Sequence, residues 1–370
     1  MAAPKEAFHG SDLEKIQQVY HIKKEEITSF SANVNPLGIS PLLRETLASH
    51  LDAITTYPDR DYVALRQAIS DYTGADLSQI LVGNGSTELI SLLIQIRCPK
   101  KALIIGPTYS EYEREISLGD GTSLYHKLAE KHNFHLDLEE LEPKLNESID
   151  LLVICNPNNP TSSAIPRKQM RQILDICKQQ DIFVIIDETY VEFAPNLDEI
   201  TAVPLTNYYN NVAILRGISK FFASPGLRLG YAICGNQDFI REMNKKKNPW
   251  TINSLAAIAG EIMFKDTEYI NRTKELIFTE RKRIMDILSG WKSVKIYEPL
   301  ANFMLVRILK PGCSSDQLFE HCIKQKMMIR DCSTFPFLNH EYIRFCFMTP
   351  EDNNRLLTAM AEYLGESFEG

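Results

Sequence analysis

The stretch Ser219-Lys220-Phe221-Phe222-Ala223-Ser224-Pro225-Gly226-Leu227-Arg228-Leu229-Gly230-Tyr231 decides how the chain is read. An apolar run, Val212 to Leu215, precedes it, and another, Leu229 to Cys234, closes it. Short, continuous apolar runs of this kind read as strands buried on both faces of a sheet. The stretch is therefore a loop between two core strands, and it carries Lys220 and Arg228 eight residues apart. A lysine fixed on a rigid scaffold can serve as a covalent amine anchor. An arginine beside it can fork onto an anion. A solvated basic loop is the plain alternative.

Working outward, three more apolar runs precede it: Ala102 to Ile105, Leu151 to Cys155 and Ile182 to Ile186, with helical stretches between. Ile80 to Val82 is a shorter strand of the same kind. Alternating strands and helices predict an α/β domain with a mainly parallel sheet. Polar residues cluster just past the strand ends: Tyr109, Asn159, Asp187 with Tyr190, and Lys220. In open α/β sheets the ligand crevice lies there. The coincidence points to a binding site without reference to any family.

Gly83-Asn84-Gly85-Ser86-Thr87-Glu88 turns directly into the apolar helix Leu89 to Ile96. Such a turn offers free amides and hydroxyls at the positive end of a helix dipole, which suits an anion. Ordinary helix capping is the alternative. Nearer the N-terminus, Asp12 to Tyr20 reads as a short amphipathic segment, and Phe30 to Gly38 is a run of turn formers. Ser40-Pro41 caps a helix over Leu42 to Leu51, and a second helix covers Tyr62 to Tyr72.

Past Gln237 the pattern changes. Helices are expected in Gln237 to Trp250, Thr251 to Phe264 and Glu268 to Leu288. Strands are expected at Val294 to Tyr297, Phe303 to Ile308, Met327 to Ile329 and Ile343 to Phe347. This is a smaller α+β domain. The expected division is an N-terminal arm and part of the small domain over 1–45, a large domain over 46–250, and the small domain over 251–370.

The chain has 370 residues, 44% apolar and 24% charged, with a net charge of -8. An acidic balance argues against nucleic-acid and acidic-membrane partners. No apolar run is long enough to span a bilayer, and Met1 to Gly10 lacks a signal-peptide layout. The eight cysteines form no CxxC pair, so no metal site is expected. A reducing, cytoplasmic setting is the expectation.

Each polar candidate has a plain reading and a chemical one. Asp187, ending a buried strand, could cap a loop or pair with a cationic heterocycle nitrogen. Tyr190 and Asn159 could reach an oxygen of the same ring, or be a core tyrosine and a turn residue. Tyr109 could stack on an aromatic ligand. Arg228, with Gly85, Ser86, Thr87 and Ser219, could seat a phosphate.

Taken in order, Asn159-Pro160-Thr161, Asp187-x-x-Tyr190 and Ser219-Lys220 followed by Arg228 resemble the fold-type I pyridoxal-phosphate enzymes of the aspartate aminotransferase superfamily. The resemblance spans nearly the whole chain. It implies a mainly parallel seven-stranded sheet in the large domain. It implies pyridoxal 5′-phosphate carried on Lys220, the ring nitrogen on Asp187, the ring oxygen near Tyr190 and Asn159, and Tyr109 stacked on the ring. The phosphate would sit on Gly85, Ser86, Thr87, Ser219 and Arg228. It also implies a homodimer in which Tyr57 reaches the neighbouring site. The family's glycine after Asn-Pro-Thr is Ser162 here.

Two branches fit: threonine-phosphate decarboxylase of cobalamin biosynthesis and histidinol-phosphate aminotransferase. Phe30 to Gly38, Asn248 to Asn253, Ile329 to Pro336 and His9-Gly10 resemble the decarboxylase more. Either branch binds a small phosphorylated amino acid or amine. The resemblance implies Arg344 for its anionic end and Arg330 for phosphate or carboxylate, with Asn33 and His9 as weaker partners.

Overall fold

The computed structural model describes residues 10–368. The chain's first strand, β1 (Thr28–Ser29), lies apart from the main sheet. Seven strands build that sheet: β2 (Ile80–Gly83), β3 (Lys101–Gly106), β4 (Thr122–Lys127), β5 (Leu151–Cys155), β6 (Phe183–Asp187), β7 (Val212–Gly217) and β8 (Gly230–Cys234). Their order is β2-β8-β7-β6-β5-β3-β4, and only the pairings of β8 are antiparallel.

Every residue of β5, β6 and β7 is buried. Alternate residues serve opposite faces. Val184 and Ile186 join the core on one side, Phe183 and Ile185 the core on the other. This two-sided burial is why the strands read as unbroken apolar runs. Fully burying each such side chain is worth about 1.5–3 kcal/mol, so the floor of the site is rigid. The one strand without an apolar run is β4, an edge strand whose side chains are mostly exposed or half-buried. It alternates as a strand with one wet face does.

The smaller sheet orders β12 (Arg330–Asp331), β13 (Tyr342–Cys346), β10 (Phe303–Ile308) and β9 (Val294–Ile296), all antiparallel. The strand expected at Met327 to Ile329 splits: β11 (Met327–Met328) pairs in parallel with β1, and β12 then turns to β13. The N-terminal segment is thereby tied to the small sheet, and the Cys346 amide donates to the Phe30 carbonyl at 2.8 Å. The helix Thr267–Ser289, 23 residues long, runs beside that sheet. Its Arg281 donates to the carbonyls of Phe193 and Ala301, at 2.5 and 2.8 Å, linking the two sheets' loops. No helix among the described residues is long and apolar enough to cross a membrane.

Candidate active site

The C-terminal ends of β5, β6 and β7 open onto a cavity of about 460 Å³. Backbone bonds set the ends in step: the Asn156 amide donates to the Asp187 carbonyl, and the Glu188 amide to Leu215, each at 2.8 Å. The loops that follow place Asn159, Asp187, Tyr190, Ser219 and Lys220 on the cavity wall.

Lys220 stands half-buried in the cavity wall, and its Nζ donates to the Ala32 carbonyl at 2.7 Å. Burial, with the nearby Arg344 and Arg228 guanidiniums, pushes its pKa down to about 8. A substantial share of this amine is therefore neutral near physiological pH, as a nucleophilic or proton-carrying lysine requires.

Asp187 is buried and receives three donors. Tyr112 Oη donates to its Oδ2 at 2.6 Å, and the Thr189 amide and hydroxyl donate to its Oδ1 at 2.9 and 2.5 Å. Tyr190 is packed edge-on against Phe303, with centroids 4.9 Å apart. Asn33 Nδ2 donates to the Tyr190 oxygen at 3.4 Å, leaving the phenol proton to be donated elsewhere. Burial raises the Tyr190 pKa, so that proton stays on. Asn159 Oδ1 accepts from Arg344 Nη1, which leaves the amide NH₂ of Asn159 as a donor. Tyr109 lines the cavity and meets Tyr112 edge-on at 5.7 Å.

Gly85 begins the helix Gly85–Arg97, one turn earlier than the apolar pattern suggests, so Ser86 and Thr87 lie within its first turn. The half-cap comes from Glu88, whose Oε2 accepts from the Asn84 amide at 2.6 Å. The turn is closely packed. Gly85 has φ +77°, and a Cβ there would come within 2.4 Å of Arg228 Nη2. A Cβ on Gly230 would lie 2.4 Å from the Ser86 amide nitrogen. Backbone, hydroxyls and guanidinium are thus drawn together at a helix N-terminus, facing the cavity.

The small domain supplies the opposite wall. Arg330 and Arg344 stand directly opposite in the β12–β13 register, and both line the cavity. Like charges so placed repel. Their hydrogen-bond partners among the described residues are neutral: Arg344 donates to Asn159 and to the Ser31 carbonyl (2.5 Å), Arg330 to the Thr334 hydroxyl (2.9 Å). Burial and the Arg344 charge hold the Arg330 pKa below its ordinary value. Arg344 Nε and Asn33 Oδ1 are buried without a partner among the described residues.

A model of the class I and II aminotransferases matches residues 25–360. The chain belongs to that family. A threonine-phosphate decarboxylase of Salmonella typhimurium is 32% identical to this family member over 356 residues, covering 96% of each chain. A histidinol-phosphate aminotransferase of Methanothermobacter thermautotrophicus is 30% identical, covering 95% of this chain and 93% of its own. The crystal structure of the Clostridium acetobutylicum histidinol-phosphate aminotransferase superposes with a TM-score of 0.85 at 31% identity, over 91% of this chain and 98% of its own.

This family of enzymes works with pyridoxal 5′-phosphate, and the aminotransferase-family cavity here fits that group. It pairs a half-buried amine with a buried carboxylate, a tyrosine wall, and a helix N-terminus backed by arginine. Its orphaned polar atoms among the described residues, Arg344 Nε, Asn33 Oδ1 and Thr108 Oγ1, are those a bound molecule would satisfy. Tyr57 is outside the cavity, 81% exposed, with its ring on Trp250 at 4.9 Å. His9 falls outside the described residues, although Gly10 beside it lines the cavity. Tyr112 and Thr189 were not foreseen. Their only sequence signals are the spacing Tyr109-x-x-Tyr112 at a helix start and Asp187-x-Thr189 in a turn.

Proposed function

We propose that this enzyme decarboxylates O-phospho-L-threonine, or its close analogue O-phospho-L-serine, to the amino-alcohol phosphate used in cobalamin biosynthesis. The observation that carries the reading is the cross-strand pair of cations, Arg330 opposite Arg344, facing a cavity in which Asp187 is the one acid among the described lining residues. Two guanidiniums whose hydrogen-bond partners among the described residues are neutral suit a substrate with two anionic ends, a carboxylate and a phosphate. The 32% identity with a named threonine-phosphate decarboxylase, end to end, supports the same choice.

Bound pyridoxal 5′-phosphate supplies the electron sink for the bond that breaks. Asp187 would offer its carboxylate to the ring nitrogen, and Asn159 Nδ2 and the Tyr190 hydroxyl would donate to the ring oxygen. Gly85, Ser86, Thr87, Ser219 and Arg228 would hold the phosphate, and Tyr109 would stand beside the ring. Lys220 Nζ is the amine that would hold the cofactor. It then returns a proton to the substrate carbon, a role that its lowered pKa favours. Arg344 and Arg330 orient the substrate, and which anionic group each one holds sets which bond is cleaved. Phosphothreonine and phosphoserine differ by one methyl, which a pocket discriminates by only about 1–3 kcal/mol.

Histidinol-phosphate aminotransferase is the second reading, favoured by the 31% identical structure. There the same lysine moves a proton and no CO₂ leaves. Product analysis separates the two. The decarboxylase reading predicts CO₂ from phosphothreonine without any keto acid. Turnover of histidinol phosphate that depends on 2-oxoglutarate, with no CO₂, overturns it. The exposed Tyr57 on Trp250 further supports a homodimer in which Tyr57 completes the neighbouring phosphate site. A monomer by sedimentation that keeps full activity contradicts this.

A further inference from the structure

We propose that Tyr112 is a positioning residue that limits Asp187 to a single free acceptor site, on Oδ2, and aims that site at the cofactor ring nitrogen. The inference rests on the reading of Asp187 as the ring-nitrogen partner and goes beyond it. An ionised carboxylate has about four lone-pair sites, two on each oxygen. Thr189 fills both on Oδ1, through its amide at 2.9 Å and its hydroxyl at 2.5 Å. Tyr112 fills one on Oδ2 at 2.6 Å. One site is left.

The donor side is equally constrained. Tyr112 is fully buried, on the helix Glu111–Leu118, and its ring is wedged edge-on against Tyr109. Asp187 is fixed as the last residue of β6, in register with Cys155 and Leu215 on either side. Burial and the adjacent Asp187 charge keep the phenol protonated, so it can only donate toward that carboxylate. The carboxylate is therefore set in three bonds before any ligand arrives. It presents one lone pair, which suits one ring N–H and not a two-pronged guanidinium. Tyr112 also drains part of the charge on Oδ2, which moderates how strongly the ring nitrogen is held protonated.

The test uses Tyr112→Phe, which keeps the ring packing and removes only the hydroxyl. Cofactor affinity is measured by titrating the apo protein with pyridoxal 5′-phosphate. The pH midpoint of the visible band is measured on the loaded protein. We expect affinity to fall about tenfold, the scale on which loss of an outer partner that orients a binding group is felt, and the band midpoint to move upward. Thr189→Val, which removes one Oδ1 donor, should weaken affinity in the same direction, and it decides the matter should Tyr112→Phe fail to fold. Asp187→Ala is run in parallel. If Asp187→Ala releases the cofactor while Tyr112→Phe and Thr189→Val leave affinity and midpoint unchanged, the positioning role is overturned. If Asp187→Ala itself binds the cofactor normally, the underlying reading of Asp187 is what fails.

Discussion

At the scale of single residues, the site is a set of groups whose remaining hydrogen-bonding capacity points one way. Asn159 has spent its carbonyl oxygen on Arg344, so only its amide protons remain to be given. Tyr190 accepts from Asn33, so its own proton is free to donate. Arg344 has used both terminal nitrogens on neutral partners and keeps a buried, unpartnered Nε. Arg344→Ala should lower kcat/KM about a hundredfold or more, the scale of truncating a buried charged contact. Steady-state kinetics beside a cofactor absorption spectrum check this, and the spectrum should be retained. The placement of Lys220, Asp187, Asn159 and Arg228 on the cavity wall was legible in the sequence, because strand ends and the loops after them carry these residues. Tyr112 was not, because a tyrosine three residues into a helix carries no mark of the distant carboxylate it meets.

At the scale of elements, what the sequence made plain follows from burial. Strands buried on both faces write themselves as apolar runs, and β3, β5, β6, β7 and β8 were all found that way. The edge strand β4 was missed because one face is wet and its pattern is Thr-Ser-Leu-Tyr-His-Lys. The start of the helix Gly85–Arg97 was placed too late, since its first turn is polar for the sake of the cavity and not the core. Ser162 resolves similarly. It sits at φ +60°, where glycine is at ease, and is fully buried. Its hydroxyl accepts from the Ala301 amide at 2.9 Å, and its carbonyl from Leu300 at 2.9 Å. The serine thus fastens the Asn-Pro-Thr loop to the segment entering β10, a contact that glycine could make only through its backbone.

At the scale of the whole molecule, the cavity exists only where the two sheets' loops meet, so their fastening is part of the site. Glu130, just past β4, accepts from Lys295 on β9 (2.9 Å), from Tyr297 (2.8 Å) and from Arg307 on β10 (2.8 Å). Burial pushes the Glu130 pKa up, but the bonds from Lys295, Tyr297 and Arg307 outweigh it and bring it to about 2. A folded-state pKa below the ordinary carboxylate value of 4.5 means stabilisation that is full above about pH 4.5 and lost as pH falls toward 2. Glu130→Gln should therefore lower Tm at neutral pH, and the gap from wild type should close through that acid window in a pH series of melting curves. A second fastening runs beside it: Phe337, two residues past the cavity-lining Phe335, meets Tyr125 of β4 edge-on at 5.5 Å.

The cavity between these loops presents one lysine among its described lining residues, Lys220. Holoenzyme reduced with borohydride and digested should yield a single peptide carrying the cofactor on Lys220, and Lys220→Ala should lose both the label and turnover while binding some cofactor through its phosphate seat. A label on any other lysine, or full turnover in Lys220→Ala, would contradict the account.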